Sequence, residues 1–105
     1  MEGLTNLRFL YLSGNQICAL SPLAGLVKLE DLWLTENQIS DITPLGGLVN
    51  LKSLLLYRNQ ISNVSPLMGL SHLERLDLSY NQVSFNSTDV KLLKAALPDC
   101  NIEIR

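Results

Sequence analysis

"LEDLWLTENQISDITPLGGLVN", Leu29 to Asn50, is the stretch whose reading decides the fold. Its flanks restate it at a step of 22 residues. Leu10, Leu32, Leu54 and Leu76 keep that step, as do Leu12, Leu34, Leu56 and Leu78. Asn15, Asn37, Asn59 and Asn81 fall in the same register, with Pro22, Pro44 and Pro66 and with Gly3, Gly25, Gly47 and Gly69. Each copy reads L-x-x-L-x-L-x-x-N-x-I, followed by x-x-L/I/V-x-P-L-x-G-L, with Val83 closing the last asparagine segment. A fixed period of this length marks a stack of identical structural units.

The x-L-x-L segment alternates with period two, so it predicts a short strand paired in parallel with the next unit, about 4.8 Å away. The leucines then point inward and stack as one hydrophobic column. The asparagine takes the chain around the bend, its amide serving backbone groups that no strand partner reaches. Proline followed by glycine predicts an irregular or 3₁₀ segment on the opposite, convex side.

This pattern resembles the leucine-rich repeat, and "NQISDITPLGGLVNLKSLLLYRNQI" is similar to the 22-residue repeats of the bacterial internalin family and of short bacterial or phage-encoded relatives. The resemblance spans residues 3 to 83, and "LKAALPDCNIEIR" resembles the closing unit of many bacterial proteins of this kind. It implies a right-handed α/β solenoid with a concave, five-stranded parallel sheet and one C-terminal helix. It also implies protein binding on the concave face, and no catalysis. The expected organisation is one domain over 1–105: a partial repeat at 1–6, repeats at 7–28, 29–50, 51–72 and 73–85, and a closing unit at 86–105.

In the closing unit, Asn86 or Ser87 is positioned to cap a helix whose first turn holds Asp89. Val90, Leu93 and Leu97, with Leu92 and Ala96, give it an apolar face, and Pro98 stops it. Ile102 and Ile104 alternate with polar neighbours and predict the fifth strand. At the other end, "MEGLTN" supplies only the last third of a repeat. Leu4, Leu7 and Leu10 are therefore expected to be bare along the solenoid axis, as a surface for self-association into a weak homodimer.

Alternation places one set of side chains on the concave face. The first row is Phe9, Asp31, Ser53, Arg75 and Asn101; the middle row is Tyr11, Trp33, Leu55, Asp77 and Glu103. The third is Ser13, Thr35, Tyr57, Ser79 and Arg105, with Gly14, Glu36, Arg58 and Tyr80 at the rim. Repeat packing demands nothing specific of these slots. Phe9, Tyr11, Trp33, Leu55 and Tyr57 nevertheless make one expected apolar zone, flanked by Asp31, Arg58, Arg75 and Asp77. Aromatic and Arg side chains are the usual binding hot spots, so this zone is the expected protein- or peptide-binding site, with Trp33 its anchor. Aromatic stacking that stiffens the sheet is the alternative use of the same residues.

The rest of the composition narrows the function. A formal charge of −2, with eight scattered Lys and Arg, gives no footprint for nucleic acid or an anionic membrane. No stretch reaches the roughly 18–20 apolar residues of a membrane span. "MEGLTNLRFL" has no export signal, which sets the expectation of a cytoplasmic chain unless it is part of a secreted one. Cys18 and Cys100 lie at opposite ends of an elongated fold and are expected to be unpaired thiols. His72 occupies the turn slot of Lys28 and Asn50, and reads as solvated. Asp77 and Glu103 are neighbouring carboxylates balanced by Arg75 and Arg105, on a sheet without a cleft. No enzyme activity, metal or cofactor is expected.

Overall fold

The computed structural model describes residues 6–83 and 87–104. Five three-residue strands form one parallel sheet in sequence order: β1 (Phe9–Tyr11), β2 (Asp31–Trp33), β3 (Ser53–Leu55), β4 (Arg75–Asp77) and β5 (Asn101–Glu103). The register follows the repeat: Leu10 pairs with Leu32, Leu32 with Leu54 and Leu54 with Leu76. Leu76 pairs with Ile102, so the last turn spans 26 residues instead of 22. That longer turn accommodates the helix α1 (Thr88–Ala96).

The convex side is made of 3₁₀ turns at Ser21–Leu23, Thr43–Gly47 and Ser65–Leu67, each with proline in its first positions. Proline fits there because no backbone donor is required at the start of a helical turn. Each turn aims one leucine inward: Leu23, Leu45 and Leu67 are buried. They meet Leu32, Leu34, Leu54, Leu56, Leu76 and Leu78 from the strand side, all of them fully buried. Burying a leucine contributes roughly 1.5–3 kcal/mol, so this column is the main stabilising term.

The bends are held by an asparagine ladder. Asn37 accepts at Oδ1 from the N–H groups of Asn15 (3.0 Å) and Ile17 (2.9 Å). Its Nδ2 donates to the carbonyls of Leu12 (3.1 Å) and Leu34 (2.9 Å). Asn59 and Asn81 repeat both donations one and two turns on, and each accepts one N–H, from Ile39 and Ile61 respectively. One planar amide thus satisfies backbone groups of two successive turns that would otherwise be orphaned.

The residue two before each asparagine precedes a left-handed residue. Gly14, Glu36, Arg58 and Tyr80 all have positive φ, at 73°, 57°, 59° and 57°. Only the first of these lacks the Cβ that makes this region unfavourable. Gln16, after Asn15, is left-handed too, at 57°.

The closing helix differs from the expected pattern on one flank. Ser87 is its cap, accepting from Val90 N–H at 3.2 Å, while Asn86 and Phe85 lie outside the described residues. Val90, Leu93 and Leu97 are buried, but Leu92 is 53% exposed and Ala96 is also exposed. Spacings of three and seven keep the first three on one face, whereas Leu92 points more than a quarter turn away. At the other end Leu7, Leu10 and Leu12 pack against the core but are only half-buried, where their counterparts Leu29, Leu32 and Leu34 one turn on are fully buried. Leu4 lies outside the described residues. Among the described residues no helix is long and apolar enough to cross a membrane.

Candidate functional site

The parallel register lines up the middle row of the sheet face, with Tyr11 beside Trp33, Trp33 beside Leu55 and Leu55 beside Asp77. Tyr11 and Trp33 stack, with ring centroids 4.1 Å apart and planes inclined by 27°. Tyr11 is 53% exposed and Phe9 51% exposed, while Trp33, Leu55 and Tyr57 are half-buried. The Trp33 indole Nε1 is covered and meets no acceptor. A buried donor left unpaired is unfavourable, so the stack is held by apolar contact and not by hydrogen bonding.

Tyr57 does not join that stack. It meets Tyr80 edge-to-face at 5.2 Å and 76°, and the Arg58 guanidinium carbon lies 5.5 Å from the Tyr57 ring centre and 5.7 Å from that of Tyr80. Phe9 likewise takes a cation, with Arg8 Cζ 5.7 Å from its ring centre. The single aromatic zone read from the sequence is therefore two ring pairs, Tyr11–Trp33 and Tyr57–Tyr80, with Leu55 in the row between them.

Tyr80 was placed at the rim by the alternation but not among the binding residues. Its left-handed backbone turns it beside Tyr57, and Gly14 in the same slot is the sequence signal for that conformation. Ser79, expected on the open face, is only 2% exposed, with its Oγ unbonded. Thr35 and Ser13 in the same row do pair, Thr35 Oγ1 donating to Ser13 Oγ at 2.7 Å.

The charges are also arranged differently from the expectation. Among the described residues, Asp77 and Glu103 form no ion pair with Arg75, which is exposed, and Arg105 lies outside the described residues. Asp77 Oδ1 instead accepts from its own strand's Ser79 N–H at 2.9 Å. Asp31 is half-buried at the start of β2. On the flank, Glu30 takes Arg8 at 2.6 Å and Lys52 at 3.6 Å. The Arg8 hydrogen bond holds the Glu30 carboxyl below the usual carboxylate range. This flank forms a groove of about 350 Å³ lined by Arg8, Lys28, Glu30, Asn50, Lys52 and an exposed His72.

Cys18 is exposed and Cys100 half-buried; both are free thiols, and burial pushes the Cys100 thiol up. Among the described residues no grouping of His, Cys, Asp and Glu has the arrangement of a metal site.

The family described as leucine-rich repeats, in two copies, matches residues 5–47 and 49–94. No curated protein matches the sequence. Among solved structures, internalin C2 from Listeria monocytogenes is similar at 40% identity and a TM-score of 0.88, over 98% of this chain and 44% of that one. A second Listeria monocytogenes internalin is 38% identical with a TM-score of 0.85, over 96% of this chain and 29% of its own. A leucine-rich repeat protein of Leptospira interrogans is 32% identical with a TM-score of 0.81, over 92% of this chain and 25% of its own. The chain spans less than half the length of each of these relatives.

Proposed function

The chain belongs to the leucine-rich repeat family, with an internalin-like repeat, and from that premise we propose that it is a non-catalytic module that binds a protein or peptide on its concave face. Leucine-rich repeat domains generally mediate protein–protein interaction, and the finer reading concerns where. The observation that carries it is the Tyr11–Trp33 stack beside exposed Phe9, in slots that the hydrophobic column and the asparagine ladder leave free to vary. A solvent-facing aromatic pair of this size is the usual centre of an interface. Rigid, already stacked rings lose little conformational freedom when a partner arrives.

Size limits the partner. Five strands about 4.8 Å apart, each presenting about four residues, give a footprint of roughly 260 Å². A standard interface buries about 800 Å² per partner. The face therefore suits an extended peptide or one protruding loop, and a larger partner must also use the rim.

The test is selection of displayed random 12-residue peptides on the intact chain, followed by affinity measurement on Trp33→Ala and Tyr11→Ala. Peptides that bind the wild type and lose binding on both variants support the reading. Peptides indifferent to both, or absence of any enriched peptide, count against it.

A further inference from the structure

We infer that Tyr57, Arg58 and Tyr80 form a carboxylate-accepting clamp at the rim of the sheet, so that the bound peptide or loop carries one acidic residue beside its apolar anchor. The inference rests on the concave-face reading above and adds the chemistry of the partner.

The first observation is the state of the Arg58 guanidinium. It is held against two tyrosine rings at 5.5 and 5.7 Å, and those rings hold each other at 5.2 Å. A guanidinium that packs over a ring by its face keeps its N–H donors for another partner. Among the described residues none of those N–H groups has a hydrogen-bond or ion-pair partner. Glu36 occupies the same slot one turn earlier, where its N–H donates to the Tyr57 carbonyl at 2.8 Å, yet it forms no ion pair with Arg58. Arg58 is thus a positioned cation with an unused bidentate edge, and a carboxylate matches that edge.

The second observation is the backbone. Arg58 and Tyr80 both sit in the left-handed region, at φ 59° and 57°, in the slot that Gly14 fills in the first repeat. A residue with a Cβ is unfavourable there, so Arg58 and Tyr80 present side chains from a slot where glycine costs less. The floor of the clamp is desolvated: Ser79, whose carbonyl receives the Arg58 N–H at 2.8 Å, is 2% exposed. An ion pair formed against a dry floor is screened less than one in open water.

The surrounding charge sets the number of acids. Asp77 and Glu103 lie in the neighbouring middle row and repel a polyacidic segment. A single carboxylate next to an apolar or aromatic side chain fits both the clamp and the Tyr11–Trp33 stack.

The experiment uses the peptides selected on the intact chain. Their sequences are expected to share one Asp or Glu at a fixed distance from an aromatic or aliphatic residue. Replacing that acid by its amide should weaken binding to the wild type about tenfold or more, and to Arg58→Gln less than about twofold, since the partner charge is already gone. Tyr80→Ser should weaken the acidic peptide as well. Arg58→Gly should also lose affinity without lowering the thermal midpoint, because glycine suits that backbone; a merely structural arginine would lower it. Peptides that depend on Trp33 but ignore Arg58→Gln overturn the clamp and leave the binding face standing. Peptides that depend on neither overturn both.

Discussion

Asn59 reaches back across a whole turn of the solenoid: its Nδ2 donates to the carbonyl of Leu34 at 2.9 Å, 25 residues earlier, and to that of Leu56 at 3.1 Å. Its Oδ1 accepts from Ile39 N–H at 3.1 Å. Asn59→Ala therefore strands a buried donor and buried carbonyls in one step. With about 1–3 kcal/mol for each buried group left unpaired, a loss of about 2–4 kcal/mol is expected. Among the described residues the Asn15 side chain bonds only the Ser13 carbonyl, and it is exposed, so Asn15→Ala should cost about 1 kcal/mol or less. Urea unfolding of the two variants checks the contrast, and equal losses would refute the ladder as a stabilising device.

Binding and stability should separate at Trp33. Its ring contributes one stacked contact to the fold, so Trp33→Ala is expected to cost about 1 kcal/mol of stability. As a binding anchor it should cost about 2 kcal/mol or more in affinity for a face-binding peptide. Asn59→Ala should show the reverse order once affinity is corrected for the folded fraction. Calorimetric titration beside denaturant unfolding measures both, and losses that track each other in the two variants would remove the distinction.

The left-handed slot offers a gain of stability. Glu36 has φ 57°, is exposed, and among the described residues makes no side-chain hydrogen bond or ion pair. Glu36→Gly should stabilise the chain by about 1 kcal/mol, since the steric cost of the Cβ exceeds the extra backbone entropy that glycine loses on folding. A shift of the urea midpoint in the opposite direction would show that the backbone relaxes around the Cβ without cost.

The closing helix gives a pair of adjacent leucines with opposite fates. Leu93 is fully buried and Leu92 is 53% exposed. Leu93→Ala should cost about 2–5 kcal/mol, as for buried leucines generally. Leu92→Ala should stay within about 0.5 kcal/mol. Thermal unfolding of both variants distinguishes this helix orientation from one rotated by a residue.

The strands, their order and their register were legible because 22-residue spacing and period-two leucines state the same geometry twice. Trp33 could be put on the sheet face for the same reason: it stands between Leu32 and Leu34, which are fully buried. Tyr80 was harder to read. Alternation ends where the strand ends, and a left-handed residue then redirects the side chain by an amount that no periodicity carries. Gly14 marks the slot, but Glu36, Arg58 and Tyr80 hide it. Ser79 was misread because alternation places it on the open face, whereas it is only 2% exposed, and burial depends on the neighbouring side chains and not on position in the repeat. At Leu92 the apolar residue is real but the face is not, since helical spacing fixes a face only once its neighbours are known.

Acid should weaken the flank through Glu30. Its carboxyl is held below the usual range by the hydrogen bond from Arg8, with further attraction from the charges of Arg8 and Lys52. The folded chain therefore binds this proton less readily than the unfolded chain does. The resulting stabilisation is complete above the unfolded-state pKa, and is lost as the pH falls through the lowered folded-state value. Asp41 behaves in the same sense, held low by hydrogen bonds from Thr43, whose N–H lies 3.0 Å from Asp41 Oδ1. Both groups are at the surface, so salt at about 1 M should diminish the Glu30 contribution through its charges while sparing the local Asp41 turn. Urea midpoints measured from neutral pH down to about pH 3 should fall less steeply for Glu30→Gln than for the wild type, and for Asp41→Asn as well. An acid limb unchanged by Glu30→Gln would show that the Arg8 pair is no stronger in the folded chain than in the unfolded one.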